Sequence, residues 1–284
     1  MKVVVSMITH RLSFWKSDIR VIVSFVLGFG ISIIFACRYI SFCRAAGSPV
    51  QLMEMFDIAG SVDYVMPGIL LGALLLVSDA PFVSGSTPYE ILRTGKKRWI
   101  CSSVAYLVVC CTLYFLAIAF AFAIMAAASG NVSFTNRWST AMKLLAERDA
   151  QFAISIFKIQ FYYPNYFHTL TPYGAFLRTL LFNNLYALVL AMCIFAFNLF
   201  ARANCGSIIA FTIHIIGTVI EKEPWLSVSI GKFSLLQCAM PAFHFEEGMS
   251  TLYALIVLTV PTILLIFFCI RFSHLLEPFQ KSKL

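Results

Sequence analysis

The residue patterns that carry enzymatic chemistry in other proteins are scarce in this sequence of 284 residues. No GxxxxGK[ST] segment occurs, because Gly95-Lys96 lacks the upstream glycine of a phosphate-binding loop. HExxH, the zinc-protease signature, is absent, and Ser84-Gly85-Ser86 lacks the strand-turn-helix context of a nucleophilic serine. We therefore expect that the chain is not an enzyme and that it binds no cofactor of its own.

The cysteines do not have the spacing of a metal site or of a disulfide framework. Their number, nine, is odd, no CxxC pair occurs, and most of them lie in apolar runs. In such runs cysteine behaves as a small hydrophobic residue. We predict neither a metal site nor disulfides.

A few polar side chains interrupt long apolar stretches and are candidates for a transport pathway. Asn183 and Asn184 are the clearest pair, since polar groups inside a membrane are costly and often functional. The alternative is that they are hydrogen-bonding contacts between helices, which are also common. For His214 we expect a packed and satisfied side chain.

The elements that position these residues are those of a membrane protein. Hydrophobic residues make up 60% of the sequence and charged residues 12%, whereas a soluble domain carries about 25% charged residues. Apolar runs near the length of about 20 residues needed to cross a bilayer predict six spans. They are Val21–Cys43, Ser61–Val77 (opened by Asp63), Ile100–Ala128, Tyr173–Phe200, Cys205–Ile220 and Ser250–Phe272.

The basic residues indicate the orientation of these spans. If both termini are cytoplasmic, the whole net charge of +8 falls on the inner segments, as the positive-inside rule requires. We therefore predict a multi-pass protein of the plasma membrane with both termini in the cytoplasm. No basic run has the interleaved aromatic residues of a nucleic-acid site, so we expect the positive charge to contact the lipid bilayer.

The first twenty residues, 1–20, have the pattern of an amphipathic helix in the inner membrane interface. Val4, Ile8, Leu12 and Trp15 follow helical spacing, and polar and basic residues fall largely on another face. Trp15 and Lys16 are the predicted interface anchors. The alternative is that this segment is only the frayed beginning of the first span.

Two outer segments are long and differ in character. Residues 129–172 form a long extracellular loop, whereas 221–248 contains short apolar stretches punctuated by Pro224, Gly231 and Pro241. Such stretches are too short to span, so we predict helices that re-enter the membrane from outside. An ordinary amphipathic loop is the alternative.

Residues 86–99, STPYEILRTGKKRW, form a polar island between two apolar runs and carry strong helix signals. Thr87 can cap a helix, Pro88 suits its first position and Glu90 completes a capping box. Gly95 is a suitable residue after the last turn. Lys96, Lys97, Arg98 and Trp99 then predict an anchor in the headgroup region that leads into the third span.

A helix of about two turns is marginal in water, so the signals favour a helix held against another surface. We expect its apolar residues Tyr89, Ile91 and Leu92 to dock into a cytoplasmic partner. The alternative is a capped loop that touches only lipid.

The order of these elements resembles the type-2 ATP-binding-cassette (ABC) transporter permease family, as found in bacteria. The stretch SDAPFVSGSTPYEILRTGKKRW resembles the bacterial pattern in which an acidic residue closes span two before a P-Y-x-x-x-R-T-G-x-x-x-W coupling helix. The run TPYGAFLRTLLFNNLYALVLAMCIFAFNLFARANCGSIIAF resembles the fourth and fifth spans of that family. The long loop at 129–172 departs from compact members.

The resemblance implies an all-α integral membrane fold and a docking element for an ATPase subunit. The docking residues would be Pro88, Tyr89, Glu90, Ile91, Leu92 and Arg93. It also implies a second permease subunit, identical or homologous, and a separate ABC ATPase chain that binds ATP and Mg²⁺.

The resulting expectation is a single transmembrane permease domain over 1–284 that exports a peptide, a lipid or a hydrophobic compound. Two other classes stay open: an ATP-independent carrier or channel, and a non-transport immunity or sensor component.

Overall fold

The computed structural model describes residues 2–62, 64–82, 87–147, 153–159, 161, 163–201, 204–246 and 249–275. These residues form an all-α fold with one two-stranded parallel bridge, in which Val50 pairs with Val132 and Gln51 with Ser133. The predicted all-α class is therefore confirmed.

The helices are numbered along the chain. They are α1 Lys2–Ser13, α2 Ile19–Ala45, α3 Glu54–Ala59, α4 Val65–Val77, α5 Thr87–Thr94, α6 Lys96–Ala128, α7 Thr140–Glu147, α8 Pro164–Thr169, α9 Pro172–Phe200, α10 Cys205–Lys222, α11 Pro224–Ile230, α12 Leu235–Ala239, α13 Phe243–Glu246 and α14 Thr251–Arg271. The strands are β1 Val50–Gln51 and β2 Val132–Ser133; short 3₁₀ turns occupy Phe14–Lys16, Gly231–Phe233 and Ser273–Leu275, and a π turn occupies Ala153–Phe157.

Five of these helices, α2, α6, α9, α10 and α14, are long and apolar enough to cross a membrane. The second predicted span differs, because α4 has only 13 residues. At 1.5 Å per residue it is about 20 Å long, short of the roughly 30 Å of a hydrocarbon core. The sixth crossing thus stays a prediction, and Asp63 at its beginning lies outside the described residues.

Close contacts between α2, α4 and α6 form the centre of one half of the bundle. The hydroxyl of Tyr114 on α6 donates a hydrogen bond of 2.9 Å to the Ile69 carbonyl on α4. A Cβ added to Gly72 would lie 3.0 Å from the Ser24 carbonyl oxygen of α2 and would also clash with the Tyr114 hydroxyl. A glycine at position 72 therefore lets the backbones of α2 and α4 approach each other.

The long helices define two ends of the molecule, and α2 and α6 both end at the same one, where β1 pairs with β2. We call the end with α1, α5 and the last turn of α14 the proximal end; Lys96 Nζ there donates to the His274 carbonyl over 3.1 Å. The distal end carries residues 46–62, 129–147, 163–171 and 223–246. At that end the Trp138 indole donates to the Leu170 carbonyl over 2.7 Å, which joins two parts of the long loop.

The segment predicted to re-enter, 221–248, contains one exposed and one buried part. On α11, Trp225 and Val228 are 67% and 71% exposed, whereas Leu236 and Cys238 on α12 are buried. His244 packs edge-on against Phe182, with ring centroids 4.6 Å apart, ten residues into α9. The segment therefore folds back along the bundle, while its depth in a membrane stays a prediction; residues 247 and 248 lie outside the described residues.

The N-terminal segment contains a helix that is shorter than predicted and lies against the bundle. α1 ends at Ser13, and Asp18 caps α2 by accepting a hydrogen bond from the Arg20 amide. Ile8, Leu12 and Trp15 pack partly buried against the hydrophobic core. The apolar face of α1 therefore covers protein, mainly α6.

Candidate docking helix and buried polar sites

The helix predicted inside residues 86–99 is present as α5, with Pro88 in its first turn and Glu90 near its positive end. Its end is set by Gly95, whose φ of +83° is accessible to glycine at little cost. α6 begins at the next residue, so one glycine separates the two helices. Ser86 lies outside the described residues.

The outward face of α5 is apolar at two positions that are one turn apart. Tyr89 is 74% exposed and Leu92 is 77% exposed, and Arg93 beside them is also exposed. Because residues i and i+3 lie on one side of a helix, the two large side chains form one surface. We call Tyr89, Leu92 and Arg93 the docking face.

Ile91 does not belong to this face, which corrects the sequence prediction. Its side chain is only 7% exposed, because it points toward the bundle and packs into the hydrophobic core. Apolar type alone did not separate it from Tyr89 and Leu92. Pro88 is half-buried.

Glu90 also points inward, toward a cation on α1. Its carboxylate lies 3.8 Å from the Arg11 guanidinium, with the two side chains 27% and 13% exposed. This ion pair joins α5 to α1, although its two residues are 79 positions apart in the sequence. Glu90 therefore acts in positioning α5 rather than in forming its exposed face.

Arg11 is held from several sides. Its Nη1 donates a 3.1 Å hydrogen bond to Ser103 Oγ, and its guanidinium carbon lies 5.6 Å from the Tyr106 ring centroid and 6.0 Å from that of Trp99. Burial lowers the pKa of the Arg11 guanidinium, and the Glu90 carboxylate opposes that shift. The cation stays charged, since the ordinary pKa of arginine lies far above neutral pH.

The predicted interface anchors divide into two groups. Lys16, Lys97 and Arg98 are exposed, and Lys96 is half-buried. Trp99 is fully buried and packs on Phe195, so its indole contacts protein and offers no surface to lipid headgroups. Trp15 is half-buried, and its Nε1 donates to the Tyr106 hydroxyl over 2.8 Å.

The turn that follows α4 ties the approach to α5 to the other half of the bundle. Asn198 on α9 donates through Nδ2 to the Ala80 carbonyl over 2.7 Å, and Ser207 on α10 donates to the Ser78 carbonyl over 2.6 Å. Arg20 on α2 forms an ion pair with Asp79 in the same turn, with an N–O distance of 2.5 Å. The chain entering α5 thus contacts α2, α9 and α10.

A cavity of about 320 Å³ lies between α1 and this turn. Charged and aromatic side chains line it, including Arg11, Asp79, Phe82, Glu90 and Tyr106. The Arg11–Glu90 pair therefore lies beside open space, whereas Ile91 of the same helix packs into the hydrophobic core.

The two asparagines proposed for a pathway have different surroundings. Asn183 is 2% exposed and faces α3, whereas Asn184 is half-buried and its Nδ2 donates to the Leu180 carbonyl of its own helix. His214 has the packed environment that was predicted: one ring nitrogen lies 2.9 Å from the Tyr186 hydroxyl and the other 3.1 Å from the Pro67 carbonyl.

Sequence analysis missed two buried acids on α3. Glu54 is fully buried; its Oε1 accepts from the Ser139 amide over 2.6 Å and its Oε2 from the Tyr39 hydroxyl over 2.9 Å. Burial raises the pKa of Glu54 to about 7, and these hydrogen bonds oppose the rise. The available signal was the apolar neighbourhood, because the run MEMFDIA places each acid between large hydrophobic residues.

Asp57 is the second missed acid and contacts two elements from elsewhere in the chain. Its Oδ1 accepts hydrogen bonds from the Tyr166 hydroxyl on α8 over 2.5 Å and from Thr179 Oγ1 on α9 over 2.6 Å. The site therefore joins α3, α8 and α9.

Comparisons with known proteins leave the family of this chain unassigned. No protein-family model matches the sequence, and no curated protein or solved structure shows significant similarity to it.

Proposed function

We propose that this chain is the membrane-spanning permease subunit of an ABC transporter. It works as a pair with a second permease, identical or homologous, and with separate ATPase subunits that bind ATP and Mg²⁺. Its cargo on this proposal is an exported peptide, lipid or hydrophobic compound. The chain lies in the plasma membrane with both termini and the docking face in the cytoplasm, and the segment Ser61–Val77, which contains α4, makes the sixth crossing.

The observation that carries this proposal is the arrangement of α5. A short helix that exposes a tyrosine and a leucine to about three quarters of their full extent leaves much apolar surface uncovered. Exposed apolar groups bordered by charge are typical of protein–protein contacts, and Arg93, Lys97 and Arg98, which follow Leu92 in the sequence, are also exposed. The Arg11–Glu90 pair beneath α5 gives a partner a connection to the bundle.

If a partner displaced α5, the displacement would be transmitted to both halves of the bundle through the contacts described above. α5 is continuous with α6 across Gly95, and the turn before it is bound by Asn198 and Ser207. A displacement of α5 driven by ATP binding would therefore act on α6 and on the α9–α10 corner together.

The test purifies the full chain from the membranes of the cells that produce it and measures whether an ABC ATPase co-purifies with it. We expect Leu92→Asp to weaken co-purification more than tenfold and to remove permease-dependent ATP hydrolysis, because a charge enters the centre of the contact. Val228→Asp is the matched control, since Val228 is 71% exposed on the distal helix α11. Equal retention of the ATPase by both variants would refute the docking role of α5.

An ATP-independent carrier is the second candidate, and one observation favours it. The chain from α3 to α4 is an interrupted helix with a buried carboxylate, an arrangement that ion-coupled carriers use. Transport in vesicles that contain the purified chain alone, without ATPase and ATP, would favour the carrier.

A further inference from the structure

The interruption between α3 and α4 lies inside the bundle. α3 ends at Ala59 and α4 begins at Val65. The Pro67 carbonyl on α4 accepts a hydrogen bond from His214 Nε2, and the other ring nitrogen of His214 contacts the Tyr186 hydroxyl. Tyr186 is at the midpoint of α9, a helix of 29 residues. The beginning of α4 is therefore level with the middle of a helix long enough to cross a membrane.

Oxygen atoms without a hydrogen-bond partner collect at this interruption. Among the described residues, Asp57 Oδ2, Ser61 Oγ and Asn183 Oδ1 are buried and accept no hydrogen bond. The three residues are 0%, 1% and 2% exposed. A buried acceptor left unpaired costs about 1–3 kcal/mol, and a charged one costs more.

A fourth oxygen comes from the backbone. The Ser61 amide donates to the Ile58 carbonyl over 2.9 Å instead of to the Asp57 carbonyl four residues before it. The Asp57 carbonyl is thus released from the regular helical pattern at the end of α3, where the helix dipole is negative.

Gly60 shows that these groups are neighbours. A Cβ added there would lie 3.4 Å from Asn183 Nδ2 and 3.4 Å from the Asp57 carbonyl oxygen, and would clash with the Thr179 methyl group. Thr179 in turn donates to the Asp57 carboxylate, and Ser61 follows Gly60 directly. The Asn183 amide group and the end of α3 at Asp57 therefore meet at Gly60, one residue before Ser61.

The charge of Asp57 has no ion-pair partner among the described residues. The nearest basic residue along α9, Arg178, is directed elsewhere: its guanidinium lies 4.8 Å from the Phe245 ring centroid and donates to the Thr251 hydroxyl. Glu54 on the same helix uses both of its oxygens in hydrogen bonds to Ser139 and Tyr39.

We propose that the α3–α4 interruption is a binding site for one monovalent alkali cation, held by Asp57, Ser61 and Asn183. Hard cations prefer oxygen ligands, and all of the unpaired groups here are oxygens. One carboxylate balances one positive charge. Interrupted membrane helices bind Na⁺ through freed carbonyls and helix ends, which is the arrangement at the Asp57 carbonyl.

The experiment uses the full chain, purified without any ATPase and reconstituted in nanodiscs, at pH 8 and constant ionic strength set with choline chloride. We expect NaCl or KCl to raise the apparent Tm in a saturable way, because a ligand that binds only the folded state stabilises it. Binding of ²²Na⁺ should saturate at one ion per chain. Competition with unlabelled K⁺ then shows which of the two ions the site prefers.

Asp57→Asn should abolish both the thermal shift and ²²Na⁺ binding. Glu54→Gln is the matched control, since it neutralises an equally buried acid of the same helix whose oxygens are already paired, and it should keep the shift. If Asp57→Asn does not fold, Ser61→Ala and Asn183→Ala keep the carboxylate and should weaken cation affinity at least tenfold.

Two results would overturn the proposal. One is a cation response that is equal in wild type, Asp57→Asn and Glu54→Gln, which indicates a general salt effect. The other is an absence of any Tm shift with Na⁺ or K⁺ and of ²²Na⁺ binding in the wild type at pH 8, which indicates that the site takes up no alkali cation. Neither result bears on the docking face, because no ATPase is present in the assay.

Discussion

At the scale of single residues, the buried acids on α3 are satisfied in different ways, and this difference has consequences for stability. Glu54 has a hydrogen-bond donor for each oxygen, whereas only one oxygen of Asp57 has donors. The two acids are three residues apart on one short helix, and the sequence does not show that their carboxylates differ in hydrogen bonding. It follows that Glu54 stabilises the distal end by its hydrogen bonds.

Glu54 predicts a pH-dependent stability. Its pKa in the folded protein, about 7, lies above its ordinary value of 4.5, so the neutral acid favours folding. This contribution is complete below about pH 4.5 and is lost as the pH rises through about 7, with a size of roughly 3 kcal/mol. We expect the apparent Tm in nanodiscs to fall on the order of 5 °C between pH 5 and pH 8.

Glu54→Gln should flatten this slope, because the side chain no longer titrates and can still pair with Ser139 and Tyr39. Glu223→Gln, at an exposed acid of the same end, should leave the slope unchanged. A slope that persists in Glu54→Gln would contradict the assignment to this carboxyl group.

At the scale of elements, α1 and α5 form a connected pair although neither belongs to the set of five span-length helices. Arg11 connects them by an ion pair with Glu90 and fixes α1 to α6 by its hydrogen bond to Ser103. The interaction is partly buried, so its loss costs more than that of an exposed pair. We infer that α1 sets the position of α5.

A double-mutant cycle tests this connection. Arg11→Glu and Glu90→Arg should each destabilise the chain by about 1–3 kcal/mol and speed hydrogen exchange in Thr87–Thr94, because like charges then face each other. The double variant restores opposite charges and should recover part of both losses. Lys16→Glu, at an exposed residue near the end of α1, serves as the control. Strictly additive losses would show that the two side chains do not interact.

The sequence was sufficient to predict elements whose signals are local. Hydropathy located the five long helices, and Pro88 and Gly95 located α5. It was not sufficient where orientation depends on packing: Ile91 is buried in the hydrophobic core, and Trp99 packs on Phe195 of α9. It also did not show that the helix of the second predicted span, Ser61–Val77, begins only at Val65.

At the scale of the whole molecule, the proximal and distal ends of the helix bundle differ in chemical character. The proximal end carries Lys16, Lys97 and Arg98 on its surface, and the distal end carries the long loop and the short apolar helices. α1 and the turn that follows α14 lie together at the proximal end, where Lys96 contacts the His274 carbonyl. The positive-inside rule then favours the cytoplasm for the proximal end.

Lysine labelling of the unmodified protein tests this orientation. An amine-reactive reagent that does not cross membranes, applied to intact cells, should modify the exposed lysines of the distal end, Lys143, Lys222 and Lys232. Lys16 and Lys97 are equally exposed in the structure, so they should react only after the cells are permeabilised, and mass spectrometry of the purified chain reads out each site. Labelling of Lys97 in intact cells would place the docking face outside, where no ATP-driven partner could reach it, and would exclude the transporter proposed above.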